Sequence, residues 1–165
     1  MQKHLINIEF EQYDLNELPD DLRSLANEAR RASLSSYAPY SHFHVGAAIL
    51  MADGSVHKGS NQENAAYPSG ICAERNATWH AAAALPGVAM KAIAVAAWTR
   101  AGMPEDTPPQ ECWQESPISP CGACRQSMLE YETLHGDIKV LLLGRSTAYL
   151  FPSVKSMLPF SFTEF

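Results

Sequence analysis

Three cysteines in two widely separated motifs place the strongest constraint on how this chain folds. Cys72 begins the tripeptide Cys-Ala-Glu, whereas Cys121 and Cys124 form a Cys-x-x-Cys pair that begins 49 positions after Cys72 (121 − 72 = 49). Cysteine thiolates bind zinc in a tetrahedral shell, and catalytic zinc sites keep one of the four positions open for water. Three sulfur ligands on one Zn2+ ion therefore require a fold that brings two distant segments together.

The composition is that of an ordinary globular protein and predicts one domain over residues 1–165. Hydrophobic residues make up 46% of the chain and charged residues 18%, which allows a sizeable core. The net charge of −6 and a single basic pair, Arg30-Arg31, argue against a nucleic-acid partner. No apolar run approaches about 20 residues, so we expect no membrane span. A Cys-x-x-Cys pair without a secretory leader predicts metal binding in the reducing cytoplasm.

Local sequence patterns predict alternating helices and strands. Leu22, Leu25 and Ala29 recur at helical spacing, and an Asp-Gly pair between two extended segments predicts a hairpin. We predict helices at 19–36, 72–84, 121–134 and 154–158, strands at 43–51, 56–62, 91–99, 138–143 and 147–151, and an irregular Pro-rich segment at 100–117. Residues 1–13 are ambiguous. This order predicts an α/β fold, a three-layer α/β/α sandwich around a mixed five-stranded sheet.

The residues beside the cysteines suit a charged metal centre. Cys72 and Cys121 each open a predicted helix, so two positive helix ends would point at a site that three thiolates make negative. Arg75 and Arg125 follow the cysteines closely, and each is a candidate to donate a hydrogen bond to thiolate sulfur. Such bonds would offset the negative charge of the sulfur ligands.

Glu74 is the candidate general acid and base. Three thiolates make zinc a weaker Lewis acid, so a neighbouring carboxylate must accept the proton of the attacking water and pass it on. The alternative is a structural zinc site, which a fourth protein ligand usually closes. Cys112 is the remaining cysteine, but it lies nine residues before Cys121 (121 − 112 = 9) in the irregular segment, at no recognised ligand spacing.

Several motifs, in chain order, resemble those of the small homotetrameric cytidine deaminases. They are Phe-His-Val-Gly-Ala-Ala from Phe43, Asn-Gln-Glu-Asn from Asn61, Tyr-Pro-Ser-Gly-Ile-Cys-Ala-Glu-Arg from Tyr67, Ser-Pro-Cys-Gly-Ala-Cys-Arg-Gln from Ser119 and Met-Leu-Pro-Phe-Ser-Phe from Met157. The similarity spans residues 20 to 162. It implies a cytidine deaminase-like fold, Zn2+ on the three cysteines, and a homotetramer that acts on a free pyrimidine nucleoside.

The resemblance also implies which residues contact the substrate. Asn61 and Glu63 would bind the ribose 3′-hydroxyl, and Phe43 would lie near the base and the ribose. The other implied contacts are the backbone of Ala73 and the carboxylate of Glu74 with the pyrimidine edge, the backbone near Ser119 with the departing ammonia, and Phe162 with the base bound in a neighbouring subunit.

Read from the residues alone, these substrate contacts have ordinary structural alternatives. Polar residues after a strand usually form a turn, and a phenylalanine at a strand start usually belongs to the core. The tail phenylalanines Phe160, Phe162 and Phe165 would either close the edge of their own domain or dock on another subunit.

Together these features predict zinc-dependent hydrolytic deamination of cytidine or deoxycytidine to uridine or deoxyuridine with release of ammonia. Two departures from the family pattern leave the substrate open: residues 100–117 are longer than the usual link, and Asn76 stands where threonine is common. A hydrolase of an N4-substituted or antibiotic cytosine nucleoside is therefore one alternative. A structural zinc protein that binds nucleosides without turnover is another, and the acidic charge disfavours a polynucleotide substrate.

Overall fold

The computed structural model describes residues 1–163, so Phe165 lies outside the described residues. The strands are β1 Glu11–Asp14, β2 His44–Met51, β3 Val56–Ser60, β4 Met90–Trp98, β5 Lys139–Leu143 and β6 Thr147–Phe151; the helices are α1 Asp20–Ser33, α2 Ala73–Ala84 and α3 Gly122–His135. The six strands form one sheet in the order β1-β6-β5-β4-β2-β3, in which β4 and β5 are parallel and the other neighbours are antiparallel. The predicted α/β fold class is confirmed.

The predicted count of five strands is wrong because the ambiguous N-terminal segment supplies a sixth. Strand β1 pairs with the sheet edge formed by β6, with Tyr13 opposite Ala148. Three of its four residues are exposed, so the strand has no alternating apolar pattern that a reader of the sequence would recognise. The strand is held by backbone hydrogen bonds to β6, which need no apolar pattern, and by Tyr13, which packs against the core cluster.

Helices cover both faces of the sheet. Successive side chains of β4 therefore point alternately to α1 on one face and to α2 and α3 on the other. Ala94 and Ala96 face α1, in a core cluster with Leu25 and Ala29. Ile93 and Val95 of β4 lie in a second core cluster, which faces α2 and α3. That second cluster includes Ala47, Ala77, Ala81, Met128 and Leu129. Because β4 is buried on both sides, its sequence is nearly all apolar.

Small residues let the first helix approach the sheet closely. A Cβ atom built on Gly46 of β2 would lie 2.2 Å from the backbone oxygen of Ala29 in α1. Real Cβ atoms do not approach backbone atoms so closely, so glycine is required for this packing. Among residues 1–163, no helix is long and apolar enough to cross a lipid bilayer.

The segment between β4 and α3 is irregular, as predicted, and folds back against the end of β4. Trp113 forms an isolated antiparallel bridge with Trp98, supported by a hydrogen bond of 3.0 Å from Gln114 N to Ala97 O. Both tryptophans belong to the core cluster on the α1 face. Cys112 is buried beside them, and its thiol donates to the backbone oxygen of Pro108 at 3.3 Å.

Candidate active site

The three predicted zinc ligands meet at the starts of α2 and α3. Cys72 and Cys121 each occupy the residue before a helix, with extended backbone angles (φ −74°, ψ 153° and φ −66°, ψ 164°), and Cys124 lies in the first turn of α3. All three sulfur atoms lie within 4.8 Å of one another, and 3.5 Å separates Sγ of Cys121 from Sγ of Cys124. Tetrahedral zinc with Zn–S bonds of 2.3 Å requires about 3.8 Å between sulfurs. The geometry therefore fits a zinc ion.

Cys112 takes no part in this cluster. Within residues 1–163, the cluster of side chains able to hold a metal contains Cys72, Cys121 and Cys124, and Cys112 packs instead in the core on the other face of the sheet. The site therefore has three protein ligands among the described residues. A tetrahedral zinc ion held by these three ligands would keep one position for water or substrate, as in catalytic zinc sites and unlike closed structural ones.

The surroundings of Cys72 favour its thiolate form. A hydrogen bond from the Cys124 thiol lowers the pKa of Cys72 to about 5, against the opposing effect of burial, and Arg75 adds to the lowering. Nη2 of Arg75 donates to Sγ of Cys72 at 3.8 Å. The same contact raises the pKa of Arg75, and the shared hydrogen bond raises that of Cys124. The N-termini of α2 and α3 add two positive dipole ends.

Arg125 does not contact sulfur in the same way. Its guanidinium donates three hydrogen bonds to oxygen atoms: to Pro120 O at 2.9 Å, to Met157 O at 2.7 Å and to Ser119 Oγ at 2.8 Å. These bonds tie the loop that carries Cys121 to the C-terminal part of the chain. Arg75 is therefore the arginine that contacts a cysteine sulfur, and Arg125 stabilises the backbone that presents one.

Glu74 is almost completely buried beside the cysteine cluster. Its side chain follows Cys72 in the first turn of α2, and the residue is only 5% exposed. Burial raises the pKa of this carboxyl, and the charge of Cys72 raises it further. A carboxyl with a raised pKa next to an open metal position is suited to accept a proton and to donate it again.

A cavity of about 510 Å³ leads to Cys72 and contains the predicted sugar-binding residues. Gln62 and Ile71 exchange two backbone hydrogen bonds of 2.9 Å each, which hold the segment after β3 against the residue that precedes Cys72. Because Gln62 pairs with Ile71, nine positions later (71 − 62 = 9), the Asn-Gln-Glu-Asn motif and the motif that contains Cys72 line the same cavity. The cavity is lined by Tyr40, Ser41, Asn61, Gln62, Glu63, Asn64, Tyr67, Gly70, Ile71, Cys72 and Arg75.

Asn61 and Glu63 both make hydrogen bonds within the protein. Oδ1 of Asn61 accepts from Val45 N at 2.8 Å, and Nδ2 donates to Phe43 O at 2.9 Å. Glu63 accepts from the backbone of Tyr40 at 2.9 Å and from Ser41, whose hydroxyl lowers the pKa of the carboxyl. The amide and carboxylate are thus held in place, and each keeps hydrogen-bonding capacity for a ligand.

The remaining predicted substrate residues are not among those that line this cavity. Phe43 is half-buried, and its backbone N donates a hydrogen bond to Oγ of Ser41 at 3.1 Å. Ala73 is fully buried at the start of α2, whereas Ser119 is exposed next to Pro120. Phe162 is 67% exposed, and its backbone N and O bond to the side chain of Gln126 in α3.

Sequence reasoning assigned no role to several residues that shape the site. Ser41 and Tyr40 orient Glu63, and Tyr67 lies edge-on to Tyr40 with ring centroids 6.0 Å apart at the cavity. Gln126 binds the backbone of Phe162 through its side-chain amide and so holds the C-terminal segment against α3. Tyr67 and Gln126 stand inside the recognised motifs, which was the available signal, whereas nothing in the sequence distinguishes Ser41 from an ordinary loop serine.

Comparison with known proteins identifies the family to which this site belongs. The profile described as "Cytidine and deoxycytidylate deaminase zinc-binding region" matches residues 19–135, which include all three cysteines and Glu74. The chain belongs to this deaminase family. The predicted resemblance is confirmed, and Zn2+ is the metal that the family region and the three clustered thiols identify.

Relatives and solved structures in this deaminase family cover most of the chain. The chain is 37% identical over 145 residues to a cytidine deaminase of Sporosarcina psychrophila, covering 87% of this chain and 93% of that protein. It is 40% identical over 143 residues to a cytidine deaminase of Halalkalibacterium halodurans, covering 87% and 95%. The crystal structure of cytidine deaminase from Burkholderia pseudomallei matches with a TM-score of 0.66 and 37% identity, over 84% of this chain and 97% of that one.

Proposed function

We propose that this enzyme hydrolyses cytidine and deoxycytidine to uridine and deoxyuridine and releases ammonia. The observation that carries the proposal is the position of Glu74, a buried carboxyl with a raised pKa in the helix turn that Cys72 begins. A structural zinc protein has no need of a desolvated carboxyl beside an open metal position. The one domain of residues 1–165 would carry the whole activity.

The residues divide the chemistry between metal binding and proton transfer. Cys72, Cys121 and Cys124 would hold Zn2+, which when bound lowers the pKa of a water molecule and makes it a nucleophile at neutral pH. Overall, a C–O bond forms at C4 of the cytosine ring and the C4–N bond to the amino group breaks. Glu74 would take one proton from the water and deliver it to N3. It would then take the second proton from the new C4 hydroxyl and deliver it to the amino group, so that the C4 carbonyl forms and neutral ammonia leaves.

Arg75 would balance the charge of this centre. Three thiolates and Zn2+ carry a net charge of −1, and the guanidinium donates to Cys72 Sγ from 3.8 Å. The cation and the two helix ends thus reduce the negative potential where the carboxylate of Glu74 must act. Arg125 would act through the loop between Ser119 and Cys121 by holding that backbone in place.

Asn61 and Glu63 would recognise the sugar, which makes a nucleoside the expected substrate. Both line the cavity, and both are held by backbone contacts from the segment that precedes β2 and from β2 itself. A free base would leave these polar groups desolvated without a partner, at a cost of about 1–3 kcal/mol each. Phe43, the Ala73 backbone and the Ser119 backbone would contact the base and the leaving group.

A second subunit would complete the site in a homotetramer. Phe160 and Phe162 of the C-terminal segment are 89% and 67% exposed, and Tyr67 is 75% exposed at the cavity. Several exposed aromatic side chains on one chain are typical of an interface. Phe162 would stack on the base bound by a neighbour. Because its ligands are free thiols, we expect the enzyme to act in the reducing cytoplasm.

The alternative substrate, a modified cytosine nucleoside, loses its main support in the structure. It depended on the long segment 100–117 reshaping the entrance to the site. In the described part of the chain that segment packs Trp113 into the core on the α1 face, and it contributes no residue to the wall of the cavity at Cys72. The unmodified nucleosides therefore remain the better supported substrates.

The decisive experiment is a substrate panel read by the absorbance change from cytosine to uracil. Zinc-loaded enzyme would be supplied with cytidine, deoxycytidine, cytosine and an N4-substituted cytidine, with ammonia release measured in parallel. We expect rapid turnover of the two nucleosides and far lower kcat/KM for cytosine. Binding of cytidine without ammonia release would overturn the proposal, and turnover restricted to the N4-substituted compound would establish the alternative.

A further inference from the structure

A groove rich in arginine lies on the opposite face of the sheet from the cysteine cluster. Two adjoining cavities of about 420 and 760 Å³ share Asn27 and Arg30 of α1 and Arg145 of the β5–β6 turn. Arg23 lines the first cavity, and Arg31 lines the second. Four of the seven arginines of a chain with net charge −6 therefore surround one groove.

Arg30 is the centre of this groove and lacks an acidic partner. Its Nη2 donates to the backbone oxygens of Gly144 at 2.9 Å and Arg145 at 3.2 Å, and its guanidinium lies 4.8 Å from the ring centroid of Trp113. No ion pair within residues 1–163 involves Arg30, and its buried Nε has no hydrogen-bond partner there. A half-buried cation without a counter-charge favours binding of an anion.

The neighbouring acidic groups do not neutralise the groove. Glu28 is shared between Arg31 and Lys58 at 2.8 Å each. Two further pairs, Arg23 with Asp20 at 3.6 Å and Arg145 with Glu115 at 3.4 Å, are solvent-exposed and therefore weak. Among the four arginines that line the groove, three therefore have an acidic partner that is shared or solvent-exposed, and Arg30 has no ion pair within residues 1–163.

We propose that this groove binds a small phosphate-bearing anion. Planar guanidinium groups bind phosphate oxygens in pairs, and the unpaired charge of Arg30 together with the weakly paired Arg145 favours an anion of this shape. Arg30 and Arg145 supply the cations, while the Asn27 amide and the Ser146 hydroxyl line the same cavity as neutral donors. A volume of about 420 Å³ suits a small molecule rather than a protein segment.

The site would be independent of the cytosine chemistry, because the sheet separates the two. Arg145 nevertheless touches the segment that leads to Cys121: its Nη2 donates to Trp113 O at 3.4 Å, and its Nε pairs with Glu115. A bound anion would therefore compete with Glu115 for Arg145, in a loop only six residues before Cys121 (121 − 115 = 6).

Binding would be tested on the zinc-loaded enzyme by calorimetry and by thermal unfolding at constant ionic strength. Inorganic phosphate and glycerol 3-phosphate would each be titrated against a chloride reference, which separates free phosphate from a phosphate ester. We expect saturable binding and a higher Tm with at least one probe. Arg145→Gln and Asn27→Ala should each weaken that binding, the former by about tenfold or more.

Arg100→Gln provides the matched control, because it removes the same charge from a position outside the groove. It should leave phosphate affinity within about twofold of the wild type. Asn27 is exposed on α1 and its change to alanine suits a helix, so Asn27→Ala keeps the test valid even where Arg145→Gln is unstable. Absence of saturable binding above the chloride reference, or an equal loss of affinity in Arg100→Gln, would overturn the proposal.

Discussion

Gly59 of β3 lies so close to Ala77 of α2 that a Cβ atom on Gly59 would stand 2.3 Å from the Ala77 backbone nitrogen. The same Cβ would lie 2.8 Å from the backbone oxygen of Ala73, the residue between Cys72 and Glu74. The approach of the helix to the sheet at this one glycine therefore determines where a metal ligand and the proposed proton carrier stand.

We predict that Gly59→Ala displaces α2 and weakens the zinc site. Overpacking of this kind costs about 1–3 kcal/mol of unfolding free energy. The enzyme should show a lower Tm, reduced zinc affinity in competition with a chelator, and lower kcat. Val56→Ala, in the same strand but at an exposed position, should change Tm much less. Unchanged Tm and zinc affinity in Gly59→Ala would contradict the packing described for this helix.

Replacing the cysteines one at a time should distinguish those that bind zinc from the one that does not. Cys121→Ala or Cys124→Ala should lose zinc and unfold at lower temperature, because metal binding energy is also folding energy. Cys112→Ala is the matched control: it removes a buried thiol of the α1-face core and should retain one zinc per chain, as measured by atomic emission. Zinc retention by both ligand variants, or zinc loss in the control alone, would refute the assignment of the ligands.

Glu74→Gln should retain the fold and the zinc yet lose most of its turnover. The amide preserves the shape of the buried side chain but cannot carry protons, and proton transfer of this type contributes about 10²–10⁴-fold to rate. Steady-state kcat with cytidine, alongside zinc content, would measure this. Glu130→Gln, an exposed glutamate on α3, serves as the control. Near-normal turnover by Glu74→Gln would rule out Glu74 as the proton carrier.

Stability should fall at mildly acidic pH partly through His44. This ring stacks on Trp98 with centroids 3.9 Å apart and contacts Ser36 Oγ through Nδ1 at 2.6 Å. Burial lowers the pKa of His44 below its ordinary value of 6.5, assisted by the charges of Arg100 and His42 and opposed by Glu63. The folded protein thus binds this proton less readily than the unfolded chain does.

The sign of the effect follows from that difference. The contribution of His44 is complete above pH 6.5 and is lost as the pH falls through the lowered folded pKa. We predict that His44→Phe, which keeps an aromatic ring against Trp98, flattens the decline in unfolding free energy below pH 6.5 measured by denaturant titration. A steeper decline in the variant than in the wild type would show that the protonated ring is the form the fold prefers.

The tail residue Phe162 should affect substrate binding more than chemistry. Gln126 holds its backbone against α3 and leaves the residue 67% exposed. If the ring stacks on a base in a neighbouring subunit, Phe162→Ala should raise the KM for cytidine several-fold and leave zinc bound and kcat largely intact. Phe160→Ala tests whether any exposed tail ring has this effect. An active monomer by light scattering would end the proposal of a shared site.

The sequence alone determined the features that depend on neighbouring residues. The start of α2 after Cys72 and of α3 after Cys121, the hairpin between β2 and β3, and the buried strand β4 all follow from local patterns. These patterns work because helix starts, turns and apolar runs are decided within a few residues. The same locality let the motifs identify the family chemistry.

Only the tertiary structure decided the features that depend on distant partners. Strand β1 forms by backbone pairing with β6, which leaves no side-chain pattern, and Arg125 bonds to Met157, 32 residues away, rather than to sulfur. Likewise, Arg30 meets Arg145 across 115 residues to form the groove. Nearly every residue type can take part in a backbone hydrogen bond or accept one from a guanidinium group through its carbonyl oxygen. Their partners are therefore fixed by how the core packs, and not by the residues beside them.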